Sequence, residues 1–256
     1  MITALRSLAR RMLGVRRTAT YYLPWLVRPG LACTLLLSDV EARFEPSHKR
    51  GPFPLRVEQY DAGGALALAY DVTLTDSVEV RELALASASG GCGFVVVRSE
   101  RVHSDLYVTL SDGESYTATH GRGEFVERYP LRARILLTLL GGALAPLGRT
   151  VAAFARDQYA YVGPDSRSHL LLLNLSNVTN RIRVAASAAG RSVGAQLVAL
   201  PPMGASLLDV SSLSPAAARE TGVWRLRLQG NAWFNFYVVG AGSRDLAGPL
   251  SLMHVK

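Results

Sequence analysis

The chain is 256 residues long, 49% hydrophobic and only 19% charged, so it holds enough apolar material for real cores and is excluded from the disordered class. Its length suits one large or two ordinary domains. The formal charge of +8 fits an acidic partner such as a phospholipid surface, but Arg6, Arg10, Arg11, Arg16, Arg17 and Arg28 all precede the first acidic residue, Asp39, so the basicity describes the N-terminus more than the body.

Residues 1–17 are predicted to form a basic amphipathic helix. Ile2, Leu5, Leu8, Ala9 and Met12 recur at three- and four-residue spacing, with Arg6, Arg10 and Arg17 off that face. Three roles are open to it: a peripheral membrane foot whose Arg6, Arg10, Arg11, Arg16 and Arg17 meet anionic lipid, a helix docked on the body, or a frayed tail. Its apolar residues never form the run of about 7 to 15 that a secretory signal core needs. The expected location is therefore cytoplasmic, peripheral to the inner membrane under the first of those roles.

An aromatic approach, Tyr21 to Val27, leads into a first β unit over residues 18–121. Its Trp25 is a candidate for lining a ligand cleft, although rings that cap a sandwich core are commoner. Within the unit come the strand Leu35-Leu36-Leu37, the strand Leu55-Arg56-Val57 with its turn at Asp61-Ala62-Gly63-Gly64, the apolar run Leu66 to Leu74, the strand Gly93 to Arg98, Leu106-Tyr107-Val108 and a closing His120. The insertion from Phe44 to Pro54 carries three prolines and a glycine, which makes it an exposed loop. His48 and Arg50 on it are candidate contact residues. The two cysteines, Cys33 and Cys92, are too few for a disulfide framework, and buried thiols are expected.

Residues 122–158 read as a connecting segment. The apolar run Ile135 to Leu147 is broken by Gly141, Gly142 and Pro146 and falls well short of the roughly 20 residues a spanning helix requires. A helix packed between two β units, or an interfacial hairpin beside the basic head, is expected there.

A second unit over residues 159–256 repeats the order of features. Leu171-Leu172-Leu173 answers the first leucine strand, and Ile182-Arg183-Val184 with the turn Ala188-Ala189-Gly190-Arg191 answers the first hairpin. Val193 to Leu200, Gly222 to Arg227, Phe236-Tyr237-Val238 and the closing His254 follow in step. Trp224, Leu226 and Leu228 alternate with Arg225 and Arg227 before Gly230-Asn231 reverses the chain, the pattern of an antiparallel sheet with one solvated face. A short helix is expected over Ser214 to Glu220, with Pro215 at its first position. Asn174-Leu175-Ser176 and Asn177-Val178-Thr179 match a glycosylation acceptor pattern, which without a secretory signal is incidental. The fold class predicted is all-β: two tandem antiparallel β-sandwich units with a short basic N-terminal helix and an apolar connecting segment.

Chemistry is sparse. The five histidines lack metal-ligand spacing. His120 and His254 hold equivalent places in the two units, through either a shared structural hydrogen bond or a small metal or anion site across a pseudo-dyad. His120, Arg122 and the backbone of the glycine-punctuated stretch around them could bind a carboxylate or phosphate. Cys92 has no base tied to it in sequence, and no Gly-x-Ser-x-Gly, Walker or Gly-x-Gly-x-x-Gly motif occurs. No catalytic residue, cofactor or metal is predicted.

The leucine-rich opening, the Asn or Asp turn, the glycine hairpin, the proline break and the apolar pair ending near histidine resemble the bacterial β-sandwich family of the sensory rhodopsin transducer. The resemblance is to each unit separately, best over residues 168–255, and the insertion at residues 44–54 departs from it. It implies small soluble all-β domains that act by binding partners, and transfers no particular residue. The expected function is thus a non-enzymatic binding or adaptor protein with a protein partner, held near a membrane or anionic surface by residues 1–17. The rival is an enzyme or carbohydrate-binding protein with a site between the units, built from His120, Arg122, Trp25 and the insertion loop. Nucleic acid is disfavoured, since interleaved basic and aromatic surface is missing.

Overall fold

The computed structural model of the protein describes residues 14–38, 52–75, 80–85, 90–99, 106–164, 166–214, 221–242, 246 and 250–254. Arg6, Arg10, Arg11, His48 and Arg50 lie outside them, as do residues 215–220 of the expected short helix. Among the described residues the protein is mostly β-sheet with a single α-helix, and every named strand pair is antiparallel.

The N-terminal half contributes β1 (Arg16–Val27), β2 (Ala32–Ser38), β3 (Phe53–Tyr60), β4 (Leu66–Leu74), β5 (Val80–Ala84), β6 (Gly91–Arg98), β7 (Tyr107–Ser111), β8 (Tyr116–His120) and β9 (Arg122–Arg128). After the helix α1 (Leu131–Leu144) come β10 (Phe154–Val162), β11 (Arg167–Asn174), β12 (Asn180–Ala188), β13 (Arg191–Leu200), β14 (Ala205–Asp209), β15 (Gly222–Gly230), β16 (Phe234–Ala241) and β17 (Ser251–His254). The four sheets have the orders β4-β3-β6-β1-β9, β5-β2-β7-β8, β10-β15-β12-β13 and β14-β11-β16-β17. Matching β1 through β8 with β10 through β17 gives the same neighbour order in both halves, with β9 added to the edge of the first.

Packing explains why both halves are needed. Four consecutive leucines in β11 point alternately to the two faces of their sheet. Leu170 and Leu172 enter a core with Ile182, Val184, Trp224, Leu226 and Leu228, while Leu171 and Leu173 enter a core with Tyr22, Trp25, Leu35 and Phe94. A sheet apolar on both faces must be covered twice, and the N-terminal half supplies the second cover. The halves therefore meet directly, and the start of the connecting segment is bonded to both of them, β1 on one side and the Leu175 carbonyl, which accepts from the Glu127 amide, on the other. On the far side, β15 keeps Arg225 and Arg227 exposed and Trp224, Leu226 and Leu228 buried, as its alternation predicts.

The connecting segment is also shorter than expected. Residues 122–128 form β9, paired with β1 over Arg16 to Tyr22, and residues 154–158 already belong to β10. Arg16 and Arg17 open β1, so a helix over residues 1–17 does not extend that far. Pro24 lies beyond the last β1–β9 pair, where its missing amide costs no bond to β9. Ser214 closes a 3-10 turn at Val210–Leu213, which is capped by Asp209 accepting from the Ser211 amide at 2.8 Å. Both cysteines are buried and unpaired; burial pushes the Cys33 thiol up to about 12 and the Cys92 thiol above its ordinary value.

Buried side-chain amides close the turns of the second half. Asn174 Nδ2 donates to the carbonyls of Val178 (2.8 Å) and Pro201 (2.6 Å), and its Oδ1 accepts from Ser176 at 2.7 Å. Asn177 brackets Tyr129, accepting from its amide at 2.7 Å and donating to its carbonyl at 3.1 Å. The two asparagines of the acceptor patterns thus serve the fold. Beside them the fully buried Glu127 accepts from Arg17 at 2.8 Å and from the Tyr129 hydroxyl at 2.6 Å, fastening β9 and the start of α1 to the body.

Candidate functional site

Of the ligand-binding candidates singled out in the sequence, Trp25, His120 and Arg122 have described side chains, and each is engaged by a different partner. Trp25 is 2% exposed and its Nε1 donates to the Tyr60 carbonyl at 2.8 Å, which makes it a core residue of the N-terminal half. His120 ends β8 opposite Tyr107, and its Nδ1 bonds the adjacent Gly121 carbonyl at 2.7 Å. His254 ends its strand opposite Tyr237 in the same way, its side chain being outside the described atoms. Arg122 pairs with Glu124 at 3.0 Å, close to two tyrosines, Tyr22 and Tyr237, whose phenols are pushed up by burial. Tyr22 accepts a hydrogen bond from Asn235. Both phenols are held neutral in the packed core.

A shallow cleft of about 360 Å³ lies over the β6–β1–β9 region, lined by Tyr21, Arg98, Ser99, Glu124 and Phe125 among others. Gly123 belongs to the lining, and a Cβ there would meet nothing within 4 Å. Its Arg98 is held by Glu58 at 3.1 Å. Among the described residues no three His, Cys, Asp or Glu side chains are placed to hold a metal ion.

The unusual surface is α1. Its buried stripe is narrow: Ala133, Leu137 and Gly141, one residue per turn. That stripe packs with Tyr129, Val178 and Ala232. Gly141 is where Arg181 crosses the helix, since a Cβ would come 2.9 Å from Arg181 Nη1. A surface helix ordinarily turns polar residues outward. Here Leu131, Ile135 and Leu139 stand on the opposite side at 66%, 52% and 66% exposure, and Leu147 in the following 3-10 turn at 68%.

Along this segment the charge has one sign. Between Glu127 and Asp157 the sequence holds Arg128, Arg132, Arg134, Arg149 and Arg156 and no acidic residue; the first four are exposed. Arg156 is set apart, its guanidinium 5.1 Å from the Trp233 ring centroid and its pKa lowered by burial and by Arg122. Arg16 joins the exposed group, opposite Arg128 in the β1–β9 register. Gly14 lies against Pro130 and Val15 packs on the helix stripe, so the first described residues sit beside the start of α1. Of the five head arginines, Arg16 reaches this surface while Arg17 is committed to Glu127.

The apolar run Ile135 to Leu147 was marked in the sequence as a packed helix or an interfacial hairpin, whereas Arg128, Leu131 and Arg132 just before it were not singled out. The available signal was the acid-free composition of residues 128–156, which the emphasis on the N-terminal arginines obscured. No family model matches the chain, and no curated protein sequence matches it.

Proposed function

We propose that the protein is a non-enzymatic binding or adaptor module made of two copies of one antiparallel β-sandwich unit and held at the cytoplasmic face of an anionic membrane. The common strand order of the halves supports the duplication, and the resemblance to the sensory rhodopsin transducer family belongs to the same reading of each half. The observation that carries the membrane half of the proposal is the exposed arginine cluster, Arg16, Arg128, Arg132, Arg134 and Arg149, with no acidic residue between Glu127 and Asp157. Basic residues near an anionic leaflet are each worth about 1 kcal/mol, screened within a Debye length.

The enzyme or carbohydrate reading has less to stand on, because Trp25 belongs to the core and Arg122 is paired with Glu124. Co-sedimentation of the full chain with phosphatidylcholine vesicles, with and without phosphatidylglycerol, is the test. Recovery with the anionic vesicles only, falling as salt is raised, is expected. Equal recovery with both compositions, or with neither, would end the membrane reading.

A further inference from the structure

Resting on that reading, we infer that α1 is the element that enters the membrane: it lies in the interface plane, with Leu131, Ile135, Leu139 and Leu147 in the acyl boundary of an anionic phospholipid leaflet and the neighbouring arginines on its phosphates.

The geometry points one way at each step. Fourteen residues make a helix of about 21 Å, against a hydrocarbon core of about 30 Å, and no helix among the described residues is long and apolar enough to cross a bilayer. Leu131, Ile135 and Leu139 are spaced by four, so they form one row along the axis. They are two residues out of phase with the buried Ala133, Leu137 and Gly141, which puts the row on the exposed side of the helix. The helix thus stands on the protein as a rib whose crest is apolar. Leu147 is a further exposed apolar side chain just beyond the helix end, before Gly148 turns the chain with φ of 62°. A groove of about 270 Å³ runs between the crest and residues 177–179 with Pro202, and Arg134 lines it, giving acyl chains a recess beside a guanidinium.

Charge selects the occupant. A protein partner that covered the row would also have to answer Arg132 and Arg134 beside it, and the segment that carries the row offers a second copy no acid, since no Asp or Glu lies between Glu127 and Asp157. An anionic leaflet answers both features at once, apolar below and negative at the surface, the arrangement that interfacial helices with arginine flanks exploit. Long arginine stems also reach sideways from a buried backbone to the headgroup level.

The test uses the full chain and vesicles of phosphatidylglycerol and phosphatidylcholine. The triple substitution Leu131→Gln, Ile135→Gln and Leu139→Gln keeps good helix formers at exposed positions. The expected result is at least a tenfold loss of vesicle partitioning with an unchanged circular dichroism spectrum and melting midpoint. A second protein, Leu139→Trp, reports insertion directly, and its added emission should shift to the blue and be quenched by shallow spin-labelled lipid.

If wild type binds and the triple variant binds equally, or the emission added by Leu139→Trp stays that of an indole in water, the inference fails while the membrane reading survives. If wild type does not bind, both fall. Should wild type sediment as a dimer without lipid and the triple variant as a monomer, the row is a contact between copies and the inference is overturned.

Discussion

The indole of Trp25 on β1 reaches across β6 and donates to the backbone carbonyl of Tyr60 on β3 at 2.8 Å. It can do so because Gly93 lies between them. Gly93 is the β6 partner of Trp25, and a Cβ there would fall 2.0 Å from the Tyr60 oxygen and 2.6 Å from the indole nitrogen. A neighbouring contact, Tyr60 stacked on Phe94 at 5.5 Å between centroids, fixes the acceptor strand. Gly93→Ala should therefore cost more than about 3 kcal/mol, in the range of core overpacking and lost buried hydrogen bonds combined. Trp25→Phe, which removes the donor and leaves a buried carbonyl, should cost about 1 to 3 kcal/mol. Urea denaturation monitored by far-ultraviolet circular dichroism measures both. Gly93→Ala within about 0.5 kcal/mol of wild type, the range of neutral surface changes, would refute this account of the strand crossing.

Glu58 gives the N-terminal sheet a pH dependence. Burial opposes its ionisation, but hydrogen bonds from Arg98, Arg56 and Tyr60 together with the Arg98 charge outweigh it and hold the carboxyl below its ordinary value. The distances are 3.1 Å to Arg98, 3.3 Å to Arg56 and 3.2 Å to the Tyr60 hydroxyl. With the folded pKa below the unfolded one, of about 4.3 for a free glutamate, the folded state gains stability that is complete above the unfolded value. That gain disappears as pH falls through the depressed folded value. The stability difference between wild type and Glu58→Gln should therefore be constant from neutral pH to about 5 and shrink below it. A difference that stays flat down to about pH 3, below the free-glutamate value, would show that the charge of Glu58 contributes nothing to folding.

How much of this was legible beforehand varies with the kind of signal. The alternation of Trp224, Leu226 and Leu228 with Arg225 and Arg227 specified both a strand and its solvated face, because a period of two leaves one side wet. The run Leu171 to Leu173 marked a buried strand, but consecutive leucines carry no period and do not say that the sheet is shared between two cores. Trp25 illustrates the same gap: an indole near an aromatic run suits a cleft or a core, and what decides is Gly93 opposite, which becomes visible only once β1 and β6 are paired. Residues 122–128 read as the start of the connecting segment, yet pairing with β1 makes them a strand, a case of tertiary context overriding weak local preference. For α1, the run read as too short to span a bilayer, but composition cannot say which neighbour covers an apolar run. The halves bury each other, and the helix is left outside.

The docking of the halves can be separated from turn strain. Gly64, in the β3–β4 turn, has φ of 81°, and a Cβ on it would lie 1.9 Å from the Pro202 carbonyl of the other half. The same turn is tied across by the Ala205 amide, which donates to the Ala62 carbonyl at 3.1 Å. Gly113, in the β7–β8 turn, has a similar φ of 92° with nothing within 4 Å of a Cβ. Alanine at either position suffers the left-handed backbone cost of about 1 to 2 kcal/mol, but only at Gly64 must a backbone contact between the halves also open. Gly64→Ala should therefore be the more destabilising of the two by at least about 1 kcal/mol, in line with the roughly 1 to 3 kcal/mol typical of overpacked contacts. Because Leu171 and Leu173 share a core with Trp25 and Phe94, unfolding of Gly64→Ala should remain a single transition by circular dichroism and by tryptophan emission alike. Equal losses for the two variants would mean that the turn does not hold the halves together, and two separated transitions would mean that the shared core does not couple them.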